Sequence, residues 1–192
     1  MSNKYLISVA IGPVQDFIAS ARRSRDLWFG SWLLSKLSKV VAEKILVLKG
    51  ELIFPSSLDG NVVNKILAVI DKPSDNFDKD LRKVINDELK DIYNPIFEKI
   101  EDSLPKDKKI FYRNEAEDQI SDLTELYWAA VPFDESNYKI CRERVEVLLS
   151  ARKATRDFKM VTWGSNAPKS SLNGQPKQAI LDEKIILPRF QT

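Results

Sequence analysis

The stretch ISVAIGPVQDFIASARRSRDLWFGSWLLSKL, Ile7 to Leu37, decides the fold. It follows on from a short apolar run, Tyr5-Leu6-Ile7-Ser8-Val9-Ala10-Ile11, rich in β-branched side chains. That pattern suits a strand covered on both faces. Gly12-Pro13 stops it, because Gly admits backbone angles that other residues avoid and Pro lacks a ladder N–H yet fits the first turn of a helix. Beyond the turn Val14, Phe17, Ile18, Ala21, Trp28, Trp32, Leu33, Leu37, Val40 and Val41 recur at steps of three and four. This spacing predicts one long helix with a wide buried stripe, running to about Leu46 and stopped by Gly50.

A strand that feeds a helix through a Gly turn leaves helix N–H groups unpaired at the end of the sheet, where they attract anions. The turn Gly12 to Gln15 is therefore either nucleotide-facing or an ordinary strand-to-helix connection. It has one Gly and no Lys or Ser/Thr at P-loop spacing.

Further along, Glu51-Leu52-Ile53-Phe54 reads as a short strand ended by Pro55, and Lys65 to Ile70 as its partner across a turn containing Asp59-Gly60. Ser74 or Asp75 caps a helix whose buried stripe is Phe77, Leu81, Val84, Ile85, Leu89, Ile92, Ile96 and Ile100, and Pro95 should kink or divide it near Asn94. Pro105 to Asp122 lacks a clear period and is expected to be an insertion or a loop with a short helical turn. Glu125 to Val131 is a strand apolar on both faces. Tyr138 to Phe158 is a helix with Cys141, Val145, Leu148, Leu149 and Arg152 on one line. The order β-α-β-β-α-β plus an extra helix predicts an α+β, ferredoxin-like fold.

Composition narrows the function. With 192 residues, 43% hydrophobic and 30% charged, the chain has room for a real core and is not of a disordered type. No apolar run spans a bilayer and no signal peptide opens the sequence, so a cytoplasmic location is expected. The single Cys141 and the absence of histidine exclude an internal disulfide, a zinc site of the usual kind, Ser-His-Asp and Cys-His nucleophiles, and an HD-type phosphohydrolase. Net charge is only +2, so nucleic-acid contact rests on local clusters: Arg22, Arg23 and Arg25, and later Arg152, Arg156 and Lys159. Each cluster either meets RNA or a neighbouring subunit, or is a solvated face, with Arg22 pairing Asp26 in the first. Trp28 and Trp32 are expected to be core or domain-interface anchors.

The segment GPVQDFIASARRSRDLWFGSWLLSKL resembles the signature of the large, polymerase/cyclase-like subunit of type III-B (Cmr-type) CRISPR–Cas effector complexes. LYWAAVPF (126–133), SARKATRDF (150–158) and KSSLNGQPKQAI (169–180) follow in that family's order. The resemblance implies that residues 1–160 are the first of two ferredoxin-like palms, without a preceding HD domain. It also implies that 161–192 begin a small zinc-finger-like domain or tail. Ser170, Ser171 and Asn173 stand where cysteine ligands would be, so no zinc is expected.

In that family the complete subunit makes cyclic oligoadenylates from ATP, with metal-binding aspartates on the second palm. Here Ala10, Ile11 and Gly12 occupy the places of a first-strand carboxylate, and the Gly-Gly-Asp-Asp hairpin is missing. The expectation is a palm without catalytic residues or bound metal of its own. It would place ATP through Gly12, Pro13, Val14, Gln15 and Ser31, with Mg or Mn present only in the complete complex. Expected partners are a catalytic palm, other type III subunits, and guide and target RNA through the complex. A stand-alone ferredoxin-like RNA-binding or assembly module is the alternative. A homodimeric enzyme is a third reading, disfavoured by the missing carboxylates.

Overall fold

Residues 4–104 and 111–155 are described by the structure, a computed structural model. Lys4–Gly12 forms β1, Glu51–Phe54 β2, Lys65–Asp71 β3 and Glu125–Pro132 β4. They make one sheet in the order β2-β3-β1-β4, with every pair of neighbours antiparallel. β1 is central, and Leu6 through Ile11 are all buried, as its unbroken apolar run requires. Successive side chains point to opposite faces. Leu6 and Ala10 join Leu67, Val69, Ala129 and Val131 beneath α5 (Tyr138–Ala154), which contributes Cys141, Val145 and Leu149. Ile7, Val9 and Ile11 turn the other way.

The long first helix of the sequence reading is in fact two. α1 is Val14–Ser20 and α2 is Ser24–Val47. Ala21 and Arg23 take extended backbone angles between them. Asp26, in the first turn of α2, holds the break: its Oδ2 accepts from the backbone N–H of Arg22 (3.1 Å) and of Arg23 (3.0 Å). This is the carboxylate half of a capping box. Hydrophobic periodicity continued across the break because both helices pack, but a helix start was written at Asp26. Pro13 stands at the N-cap rather than inside the first turn. Of the expected stripe, Leu33, Leu37 and Val41 are buried, together with Leu34, Ala42 and Ile45, whereas Ile18 and Trp28 are exposed.

α2 ends in a Schellman motif. Lys49 N–H donates to Leu46 O and Gly50 N–H to Ile45 O, both at 2.9 Å. Lys49, not glycine, takes the left-handed conformation (φ 61°). Gly50 is needed for space instead: a Cβ there would lie 2.6 Å from Ile45 Cγ2 and 2.7 Å from Ile70 Cγ2.

The third helix, α3, runs undivided from Phe77 to Ser103 with Pro95 inside it. Its first turn is fastened to β4: the Trp128 indole donates to Asp78 Oδ1 at 3.0 Å and packs edge-on against Phe77. Arg82 bridges Asp78 Oδ2 (2.7 Å) and the Leu126 carbonyl (3.3 Å).

The described residues fall into two compact units. The first comprises 4–88 and 124–155 and contains the sheet. The second, 89–104 and 111–123, includes an 11-residue helix, α4 (Arg113–Leu123), where an insertion with a short turn was expected. Ala116 and Ile120 pack on Phe97, Ile100 and Leu104. Arg113 ties the unit together by donating to Glu117 (2.8 Å), Glu101 (3.1 Å) and Asn94 (2.7 Å) over the Phe97 ring. The expected second domain, 161–192, lies outside the described residues, as do Arg156, Lys159, Ser170, Ser171 and Asn173.

Candidate functional site

The strand register builds a cleft at the end of β1. Ladder pairing sets Ala10 opposite Tyr127 and Gly12 opposite Glu125. On the other side Asn64 clamps the strand twice: Ile11 N–H donates to Asn64 O at 2.9 Å, and Asn64 Nδ2 donates to Ile11 O at 3.2 Å. The turn residues Gly12 to Gln15 line the cleft too, as does Lys153, in the last turn of α5. The cleft measures about 290 Å³. It is mixed in character, with carboxylate, ammonium, amide and phenol groups around a backbone turn, the composition of a site for a polar ligand.

Gly12, Pro13, Val14 and Gln15 therefore share one cleft. Ser31 does not: its groove, about 360 Å³, lies between α1 and α2 and is mostly apolar, lined by Phe17, Leu27 and Leu34 among others. Val14 and Asn64 line both spaces, so the groove adjoins the cleft. Gly30 lets α1 approach, since a Cβ there would meet the Phe17 side chain at 3.3 Å. α1 has only seven residues. Its dipole is short, and whatever anion affinity the cleft has must come from side chains.

The basic candidates are dispersed. Arg22 and Arg23 belong to the break before α2 rather than to a helix, and Arg25 follows in the first turn, where its guanidinium is 3.8 Å from Asp26 on an exposed surface. Arg152 is exposed on α5 and donates to Thr155 O at 3.2 Å, while its neighbour Lys153 is the residue that reaches the cleft. Trp28 is not a core anchor: it is 62% exposed and stacks on Trp32, with centroids 6.4 Å apart and Phe29 beside them. Leu148 and Arg152, expected on the buried line of α5, face solvent. Asp59 accepts from Ser57 Oγ at 2.8 Å and precedes Gly60 at φ 72°, an Asp-Gly turn closed on itself.

Asn64, Glu125, Tyr127 and Lys153 were not singled out from sequence. Each is ordinary in its own segment and becomes a site residue only through the pairing of β1 with β3 and β4. Among the described residues no helix is long and apolar enough to cross a membrane, and no three acidic, Cys or His side chains converge as metal ligands.

A family model described as "CRISPR-associated protein Cmr2, N-terminal" matches residues 6–189. The CRISPR system Cmr subunit Cmr2 of Pyrococcus furiosus is 32% identical over 110 residues, covering 46% of this chain and 13% of that protein. Crystal structures of the Csm1-Csm4 cassette are similar over 80% of this chain and 19% of theirs: the complex with AMPPNP at 16% identity and TM-score 0.47, and that with cA4 at 18% and 0.44. The chain thus spans less than a fifth of the length of these relatives.

Proposed function

The chain belongs to the Cmr2 N-terminal family of type III CRISPR large subunits, and on that premise we propose that it is a first palm that positions ATP for a catalytic palm and carries no catalytic residue itself. The observation that carries this reading is the cleft at the end of β1, where Gly12 to Gln15 meet Asn64, Glu125, Tyr127 and Lys153. A volume near the low end of the roughly 300–1,000 Å³ usual for ligand sites suits one nucleoside phosphate whose far end is met by another protein surface. The antiparallel order β2-β3-β1-β4, with helices between β1 and β2 and between β3 and β4, supports a ferredoxin-like palm. On this reading the assembled subunit makes cyclic oligoadenylates in the cytoplasm, RNA reaches it through the other subunits, and metal enters with the catalytic palm.

The alternative of an independent RNA-binding module is weakened by α5. Sheet-surface RNA readers of this topology use an open face with exposed aromatics. Here that face carries Leu6, Ser8 and Ala10, all buried, with α5 packed over it. The strand 126–131, apolar on both faces, is likewise spent internally on α5, Phe77 and β1. The exposed Leu27, Trp28 and Phe29 keep an assembly role open on a different surface.

The test is co-assembly with the rest of the effector complex and measurement of ATP conversion with Gln15→Ala and Gly12→Asp. Assembly with activity reduced in both variants is expected. Full activity in both would reduce the turn to a plain connection, and failure to assemble would sink the palm reading.

A further inference from the structure

Resting on the nucleotide reading of the cleft, we propose that the cleft is polarised: Glu125 receives the ribose hydroxyls of a nucleoside polyphosphate and Lys153 its phosphates. Among the described residues lining the cleft, Glu125 carries the negative charge and Lys153 the positive one. They come from different elements. Glu125 opens β4 opposite Gly12, close enough that a Cβ on Gly12 would sit 3.4 Å from its Oε2. Lys153 reaches in from α5. A carboxylate only accepts hydrogen bonds, so it pairs with hydroxyl groups and repels phosphate. An ammonium donates three and forms charge-assisted bonds to phosphate oxygens. A carboxylate on ribose hydroxyls is also the solution found at other nucleotide sites. Gln15 and Asn64, the amides that line the same cleft, suit either end of the ligand.

The placement of Lys153 is itself built in. Seven residues earlier on α5, and so on the same helical face, Glu146 pairs with Lys65 Nζ at 2.5 Å and accepts from the buried Ser8 hydroxyl at 3.5 Å. Lys65 directly follows Asn64, and Ser8 lies two residues before Ala10, so both anchors belong to strands that form the cleft. Glu146 acts as a positioning residue: it fixes the level of α5 along the sheet, and with it the reach of Lys153. It also engages the Lys65 charge, leaving Lys153 to meet the ligand.

The experiment is equilibrium binding of ATP, adenosine and 2′,3′-dideoxy-ATP to the full 192-residue chain. Lys153→Met should weaken ATP about tenfold, or about 1.4 kcal/mol, and leave adenosine unchanged, while Lys153→Arg keeps ATP affinity. Glu125→Ala should erase the preference for ATP over the dideoxy analogue. Glu146→Gln should weaken ATP about threefold without touching adenosine, which a purely structural role would not separate. Equal weakening of ATP and adenosine by Lys153→Met, or a preference for ribose that survives Glu125→Ala, would overturn the orientation while leaving the nucleotide reading intact. An unsubstituted chain that binds neither ATP nor adenosine would overturn both.

Discussion

Gly50→Ala is the sharpest test of how α2 is joined to the sheet. The added methyl would lie 2.6 Å from Ile45 Cγ2, 2.7 Å from Ile70 Cγ2 and 2.8 Å from the Ile45 carbonyl oxygen. None of these can easily yield. Ile45 and Ile70 are buried, β-branched and stiff at χ1, and the carbonyl is already bonded to the Gly50 N–H in the helix cap. Overpacking a dense core costs about 1–3 kcal/mol, and three contacts below 3 Å put this site at the upper end, about 2–3 kcal/mol. At about 2–4 °C per kcal/mol for a chain of this size, Tm should fall by about 4–12 °C. Urea unfolding should show a lower midpoint with an unchanged m-value, because one methyl hardly changes the surface exposed on unfolding. Lys49→Gly serves as the contrasting variant: it relieves a left-handed lysine and should be neutral or slightly stabilising. A Gly50→Ala protein within about 0.5 kcal/mol of wild type would refute the steric account.

Three further outcomes follow from the same geometry. Asp26→Ala removes the acceptor of two backbone N–H groups at the start of α2 and should cost about 1 kcal/mol in urea unfolding. Trp28→Ser should change stability by less than about 0.5 kcal/mol, since the ring is largely exposed, whereas Leu37→Ala, fully buried on the same helix, should cost about 2–5 kcal/mol; parallel denaturation of the pair checks both. Burial raises the Tyr93 phenol above 10.0, Glu117 adds to the rise and Arg113 opposes it. A raised value in the folded state means that its contribution is complete below about pH 10 and is lost as pH climbs through the folded value. Tyr93→Phe should therefore flatten the alkaline limb of the stability profile, followed by urea midpoints between about pH 8 and about pH 11.

Much of the sheet was legible because strands announce themselves locally. Glu51 to Phe54 and Lys65 to Ile70 needed only β-rich runs bounded by Pro, Gly and Asp. What stayed hidden was non-local or masked by a stronger signal. The break at Arg22 and Arg23 was covered by apolar spacing that continues through it, although Asp26 carried the cap. α4 was missed because only Ala116, Ile120 and Leu123 repeat among many charges, and Arg113 adds ties to three partners that no periodicity shows. In the cleft, the turn residues were visible because Gly12-Pro13 interrupts a strand. Glu125 and Asn64 needed the strand register, and Lys153 needed the docking of α5, and both of those are properties of the folded chain alone.

The central position of β1 also sets a timetable. One side of β1 pairs with Lys65–Asp71, the other with Glu125–Pro132, so the second partner is made about 120 residues after the first strand. At roughly 5–20 residues per second of synthesis, this most apolar strand waits about 6–24 seconds with one hydrogen-bonding edge open. Until Pro132 leaves the ribosome, the nascent chain carries an unpaired, hydrophobic edge of the kind that recruits other strands. The partial product is thus the aggregation hazard, and any shortened version meant to fold in a cell must retain β4.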